Sequence, residues 1–526
     1  MSSNSVSETG FRSKWFLWGS VMALTGMILI LAITRFGPGA SGDSAYYLMG
    51  AHNLIAGDGF SRTSGGGETK PITGFPPGFS AVLAILGSTG GDLFQVGRYL
   101  NVGLFAVNIL LAGGLVFHYT RKLGPTLFAC GVLLASEKLV FWHAWIMSEP
   151  LYIALTLGGL FAITRFFENG RRLVLIGAGL LLAASTLTRY VGAALLFSFA
   201  LSILVFSKAR WRRRIVDSAI LAGVALGPVY LWLRWNVAVA GTGVNRQVLY
   251  HPMGPELVRA FLGAASSWFV PDVLGLPMFL RAAISLLVAI TIPAVFFIRS
   301  LRERRDSDAG EWRGKYLLPW ILLLSVASYL VVLVINSTFL DASTTLSAPP
   351  RYLLPVFVMV VVLFACAISR LLDALRLGRG WRWGAGLAAM ALIAAYLPAT
   401  VNLVRDPIPN IGYTGLRYSL PAVVDRLEDV STADPIISNN PELVFILVGR
   451  PAYMRPIRFD AYQLKYREDF ASQVSDTQAK LDSGAVLVLF GSLDSEEMYV
   501  LQALNVTATY KSAEASFYVS ANAADG

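Results

Sequence analysis

Charged residues make up only 14% of the 526-residue chain, which also has just four histidines and two cysteines. Cys130 and Cys366 each lie inside an apolar run, so the sequence offers neither a disulfide framework nor a thiolate metal site. They read as small packing residues. No Gly-rich phosphate loop, catalytic-triad spacing or internal repeat is visible, and the one low-complexity stretch is Gly65-Gly66-Gly67.

What is present is apolar. A hydrophobic content of 55% and a mean hydropathy of +0.58 are incompatible with an ordinary water-soluble fold and describe a polytopic membrane protein in a lipid bilayer. The formal charge of +10 comes from basic clusters between apolar runs, where orientation in a membrane explains them and nucleic-acid binding does not. Runs near the ~20 residues that cross a bilayer as helix fall at 15–35, 97–118, 124–140, 149–166, 172–188, 189–207, 214–235, 276–298, 316–336, 351–371 and 383–401. That predicts about eleven transmembrane helices. The first run follows Arg12 and Lys14, is long enough to span, and reads as an uncleaved helix.

Alternate connections carry the excess of Lys and Arg: Arg121 and Lys122, Arg165 to Arg172, Lys208 to Arg214, Arg299 to Lys315, and Arg370 to Arg382. Because such loops stay cytoplasmic, the N-terminus is expected inside the cell membrane and Asp43 outside. From Asp406 the sequence turns to mixed polar residues with β-rich runs at Pro435–Ser438, Ala485–Phe490 and Ala515–Val519, interleaved with helical patterns at 417–430, 440–449, 462–482 and 494–504. The expected organisation is a helical membrane domain, 1–404, with a first outer loop at 36–96, and a small extracytoplasmic α/β domain, 405–526.

Several segments could carry chemistry. Asp43 opens Gly42-Asp43-Ser44-Ala45-Tyr46-Tyr47, ahead of His52 and of Phe75-Pro76-Pro77-Gly78-Phe79. Residues 44–56 suit a short interfacial helix with Asp43 at its N-cap, so a purely capping role stands beside a chemical one. Ser148-Glu149-Pro150 follows Phe141, Trp142, His143 and Trp145, and is equally what a helix start looks like. Arg35, Arg98, Arg189, Arg234 and Arg351 fall at predicted outer ends of spans, where an arginine either snorkels or holds an anion.

Taken in order, the first-loop Asp43, the Pro-Pro-Gly segment, Ser148-Glu149, Thr188-Arg189-Tyr190 and Arg351-Tyr352-Leu353-Leu354-Pro355 resemble the GT-C superfamily of membrane glycosyltransferases. Within it the chain looks like the polyprenyl- or dolichyl-phosphate-sugar-dependent protein O-mannosyltransferase and lipid A aminoarabinose transferase families. The single Asp43 followed by Ser44 departs from the Asp-Glu pair of the O-mannosyltransferases, which puts a protein acceptor in doubt. The resemblance implies transfer of a hexose, pentose or aminosugar, with inversion, from a polyprenyl-phosphate donor to an extracytoplasmic acceptor. It makes Asp43 and Glu149 catalytic candidates, Arg351 and then Arg189 donor-phosphate ligands, and Tyr46, His52, His143, Tyr352 and Asp341 candidates for substrate binding. It requires no cofactor, and a divalent cation stays open. A transporter or lipid flippase, or a noncatalytic membrane subunit, is the rival reading; the absence of repeats argues against a transporter.

Overall fold

The computed structural model describes residues 3–246, 248–306, 309–340, 349–375, 379–460 and 465–524. In chain order, the helices of the apolar part are α1 (Ser3–Ile33), α2 (Gly42–Ala56), α3 (Gly78–Gly87), α4 (Leu93–Thr120), α5 (Leu123–Ala135), α6 (Glu137–His143), α7 (Glu149–Asn169) and α8 (Arg172–Thr188). They continue as α9 (Ala193–Phe206), α10 (Trp211–Ala240), α11 (Pro255–Ser266), α12 (Met278–Asp306), α13 (Ala309–Phe339), α14 (Pro349–Ala374) and α15 (Arg379–Arg405). A short hairpin, β1 (Ser61–Thr63) with β2 (Thr69–Pro71), lies between α2 and α3.

Among the described residues eight helices are long and apolar enough to cross a membrane, and nine if the bent pair α5–α6, broken by 63°, counts as one span. The expected fifth and sixth spans are the shorter helices α8 and α9, of 17 and 14 residues. Arg189 interrupts them in an extended conformation (φ −150°, ψ 125°), and a single turn at Tyr190–Gly192 restarts the helix.

Burial ranks the helices. In α14 the most apolar window is 89% buried, against 17% in α15 and 22% in α10, so α14 runs through the protein interior while the others face lipid. Around it pack Phe105, Ile109, Leu157, Phe199 and Ile321, all essentially sealed from solvent. The outer faces expose Phe16, Leu231, Leu287 and Leu387, as a hydrocarbon surrounding allows.

The chain after α15 forms α16 (Tyr413–Ser419), α17 (Pro421–Asp429), α18 (Pro441–Val448), α19 (Phe470–Asp482), α20 (Ser495–Ala503) and α21 (Ala521–Ala524) around strands β3 (Ile436–Ser438), β4 (Tyr453–Met454), β5 (Phe459–Asp460), β6 (Lys465–Tyr466), β7 (Val486–Phe490), β8 (Val506–Lys511) and β9 (Ala515–Ser520). Five strands make one sheet in the order β4-β3-β7-β9-β8, parallel across β4-β3-β7 and antiparallel beyond. Helices cover both faces: Val488 meets Leu427 and Leu447 on one, while Leu487 and Leu489 meet Leu481 and Val500 on the other. That two-sided burial is why β7 reads as an unbroken apolar run.

Two helix expectations change here. The helix expected at 417–430 is two helices, because Pro421 lacks the N–H that would continue the first and instead opens the second. The one expected from 462 begins at Phe470: Lys465 and Tyr466 pair with Asp460 and Phe459 as strands, and 461–464 lie outside the described residues.

The start of α2 is fixed by a three-stranded junction of loops. The backbone of Gly39 and Ala40, just before α2, is held between residues 144–146 and 411–413. Gly39 N–H donates to Ala144 (2.9 Å), Ile146 N–H to Gly39 (2.8 Å), Ala40 N–H to Ile411 (3.2 Å) and Tyr413 N–H to Ala40 (2.9 Å). Only glycine fits at 39, since a Cβ there would sit 2.5 Å from the Trp145 ring. The Trp145 indole N–H in turn bonds the Asn410 carbonyl at 2.9 Å.

Candidate active site

Each of the four charged residues singled out in the sequence sits at an element boundary, and those boundaries converge. Asp43 lies in the first turn of α2, Glu149 in the first turn of α7, Arg189 at the α8–α9 break and Arg351 near the start of α14. Asp43 is not the N-cap expected: the helix starts two residues earlier, at Ser41, whose N–H donates to the Ser44 hydroxyl at 3.0 Å. The Asp43 side chain is thus free of a capping duty.

Arg351 bridges the two carboxylates. Its Nη1 is 2.7 Å from Asp43 Oδ2, and its Nε contacts Glu149 Oε1. Arg189 Nη1 reaches the same Glu149 oxygen at 2.5 Å and the Ser148 hydroxyl at 3.2 Å. The Ser148 Oγ also pairs with the Tyr47 hydroxyl at 3.0 Å. Burial differs sharply along this relay: the Glu149 side chain is 1% exposed, the two arginines 11% and 13%, and Asp43 31%. Glu149 is therefore the buried anchor and Asp43 the carboxylate that reaches outward. Burial, reinforced by the Asp43 charge, pushes the Tyr47 hydroxyl up to about 12, so it stays protonated as a donor at neutral pH.

Asp43, Tyr47, Arg189, Arg351 and Tyr352 line one cavity of about 1080 Å3, its open mouth included. Phe75 and Pro76 form another wall. The adjoining Gly78 is pressed against the end of α8, where a Cβ would lie 2.7 Å from the Leu187 carbonyl, so the loop can close on Thr188 and Arg189 only with glycine there. The cavity also holds Tyr190, from the Thr188-Arg189-Tyr190 motif, together with three residues not proposed as ligands from the sequence: Arg246, Tyr329 and Asn336. Arg246 stands in a long irregular loop without helical or strand periodicity, and nothing local marks it.

The other candidates lie elsewhere. His143 is wholly buried, its Nδ1 bonded to the Leu139 carbonyl (2.7 Å) and its Nε2 to Asn108 (3.0 Å), so it has no free nitrogen for a substrate. His52 points to the surface beside Asn53, and Tyr46 stacks on Phe75 outside the cavity lining. Asp341 lies outside the described residues. Arg35 caps the end of α15 through the Val404 and Arg405 carbonyls, and Arg98 bonds Thr34, which leaves neither for a ligand phosphate. Among the described residues no three His, Cys, Asp or Glu side chains cluster as metal ligands. With a guanidinium lodged between Asp43 and Glu149, the two carboxylates do not fit a shared divalent cation.

No protein-family model matches the chain, and neither does any curated protein. Its fold is shared with solved structures that are GT-C membrane glycosyltransferases. Among solved structures it is similar to ArnT from Cupriavidus metallidurans bound to undecaprenyl phosphate, at 13% identity and a TM-score of 0.57 over 96% of this chain and 98% of that one. It is also similar to the Archaeoglobus fulgidus oligosaccharyltransferase AglB in complex with an inhibitory peptide and a dolichol-phosphate, at 11% identity and a TM-score of 0.51 over 90% and 69% of the two chains. Mycobacterial arabinofuranosyltransferase AftD is similar at 13% and 0.50, with this chain spanning 41% of its length.

Proposed function

We propose that this protein transfers a sugar from a polyprenyl-phosphate donor to an acceptor on the outer side of the cell membrane, with inversion at the anomeric carbon. The observation that carries this reading is the Asp43–Arg351–Glu149–Arg189 relay beside a cavity at the ends of the apolar helices α8, α13 and α14. A lipid tail can lie along the apolar helices and deliver its sugar phosphate at that depth. In the reaction the acceptor oxygen bonds the anomeric carbon as its proton passes to Asp43. The bond from that carbon to the phosphate oxygen breaks, and its electron pair leaves with the phosphate. Arg351, Arg189 and Arg246 are the cations that can receive the charge developing there.

The relay also suggests an order of events. A donor phosphate competes with Asp43 for the Arg351 guanidinium, so donor binding turns the Asp43 carboxylate toward the acceptor. The oligosaccharyltransferase and ArnT structures, which hold dolichol-phosphate and undecaprenyl phosphate, support a lipid-linked donor.

The test is reconstitution in liposomes with a panel of polyprenyl-phosphate sugars, following release of polyprenyl phosphate and the mass gained by the acceptor. Release that depends on one sugar and is lost in Asp43→Asn is the expected result. No release from any donor, with the protein folded, rejects the reading. The proposed orientation is checked separately: a cysteine at Asn169 should be labelled only from the cytoplasm and one at Ser475 only from outside. Both positions are exposed.

A further inference from the structure

The first turns of α14 present two faces. Arg351 and Tyr352 enter the cavity beside Asp43, whereas Leu353, Leu354 and Phe357 turn the other way and line a second cleft, of about 580 Å3 with its mouth included. The two clefts share no lining residue. The second is walled by the start of α6, the end of α11, the turn at Asp272–Leu274 and one face of α15.

This cleft is amphiphilic. At its polar end Lys138 and Glu137 both line the space, and among the described residues neither is part of an ion pair. The Lys138 ammonium, half-buried, has three donors and uses one, on the Ser267 hydroxyl at 2.9 Å. Asp272 is already matched to Arg281. The other end of the cleft is Leu353, Leu354 and Phe357. Val273, which lines the cleft, is 55% exposed, and Leu274 and Phe279, which follow it in the chain, are 54% and 73% exposed, an apolar surface suited to acyl chains and not to water. Glu137 and Lys138 feel each other's charge without closing into an ion pair, so a ligand that carries both signs can contact each of them.

We propose that this cleft holds the headgroup of a zwitterionic phospholipid bearing a phosphate and a primary amine. Lys138 bonds the phosphate, Glu137 takes the ammonium, and the acyl chains leave past Val273 and Phe279. Because its apolar floor is the back of the turn that carries Arg351, the lipid braces the start of α14. The inference is independent of the transfer reaction, since it is read by binding alone.

The experiment uses the full-length protein, delipidated in detergent and examined by native mass spectrometry with phosphatidylethanolamine, phosphatidylglycerol, phosphatidylcholine or water-soluble phosphoethanolamine added. Phosphatidylethanolamine should be retained in preference to the other three. Lys138→Gln should reduce retention about tenfold or more, the loss expected from one charge-assisted bond. Ala395→Trp, which fills the cleft without touching its charges, should do the same if Lys138→Gln fails to fold. Lys208→Gln, an exposed lysine at the opposite helix ends, should change nothing. The proposal is overturned if both cleft variants keep wild-type retention. It is also overturned if phosphatidylglycerol or phosphatidylcholine binds equally well, or if phosphoethanolamine alone competes fully.

Discussion

Two of the buried charge clusters among the described residues are built differently. In the C-terminal sheet, Arg455 Nη2 meets Glu497 Oε1 at 2.7 Å, with both side chains about nine-tenths buried. Among the described residues Arg455 Nε has no partner and Asn439 Nδ2 approaches Glu497 Oε1 at 3.5 Å, but most of the remaining groups there bond backbone. Arg455 Nη1 donates to the Pro456 carbonyl, Glu497 Oε2 receives the Asp494 N–H, Asp494 caps α20, and Asn439 braces both backbone groups of Phe490. In the membrane part, Asp43, Glu149, Arg189 and Arg351 bond mainly to one another, a cavity opens on three of them, and Glu149 Oε2 has no partner. A cluster spent on backbone holds a fold together. One that keeps its bonding among side chains, beside a cavity, can exchange partners with a ligand. Burial of ions alone does not separate the two cases.

The sharpest way to break the contrast is Asp43→Asn. Because Ser41 and Ser44 supply the helix start, abundance and heat resistance should hold while transfer falls by ~10²–10⁴-fold, the usual size of general-base removal. Transfer near the wild-type rate in the reconstituted assay would make the relay structural, like the cluster in the sheet.

Next in size is the paired comparison of Glu149→Gln with Glu497→Gln. Removing the Glu149 charge leaves the nearly buried Arg189 without its carboxylate and Arg351 with Asp43 alone, a loss of about 3–5 kcal/mol, together with weakened donor binding. Glu497→Gln should cost about 1.5–3 kcal/mol and leave donor affinity alone. Denaturant midpoints of the full-length protein and donor titrations read both. Equal effects on the donor would erase the distinction.

A smaller effect is expected at Arg351. Arg351→Ala should weaken donor binding by roughly tenfold or more, as loss of a charge-assisted contact does, and Arg351→Lys should restore part of it, keeping charge but not the planar fork. Unchanged donor affinity in Arg351→Ala would shift the phosphate to Arg189 and Arg246.

The mildest effect is acid sensitivity of the sheet. Bonds from Glu497 and from backbone N–H groups hold the Asp494 carboxyl below its ordinary value, so its contribution is complete above the unfolded carboxylate range, near pH 4, and fades as pH drops below it. Hydrogen exchange of peptides from 486–520 in the intact protein should accelerate on acidification through that window, and less steeply in Asp494→Asn. Identical slopes would remove Asp494 from the account.

Much of the candidate site was legible because its residues sit where local signals concentrate. Ser148-Glu149-Pro150 spells a helix start, Thr188-Arg189-Tyr190 a break between apolar runs, and Arg351 comes after a proline pair before a long span. What could not be read depends on distant packing. The Tyr47–Ser148 bond joins α2 to α7 across 101 positions, and Arg246 and Asn336 come to the cavity from a loop and from the far end of α13. His143 misled for a related reason: an interfacial aromatic stretch looks exposed in sequence, yet the α5–α6 bend turns the ring inward onto Asn108. The interior position of α14 was likewise hidden, since a buried apolar helix and a lipid-facing one share a composition.

The wide spacing of the relay also bears on how the protein is made. Asp43 and Arg351 are separated by most of the membrane helices, and the Gly39–Ala40 segment beside Asp43 is clasped by residues 411–413, which the ribosome adds only after α15. During synthesis Glu149 meets Arg189 early, whereas Asp43 waits for its guanidinium until α14 has been inserted. A nascent chain that stalls before residue 349 therefore holds the 36–96 loop and its aspartate without the guanidinium that pairs with it in the finished fold.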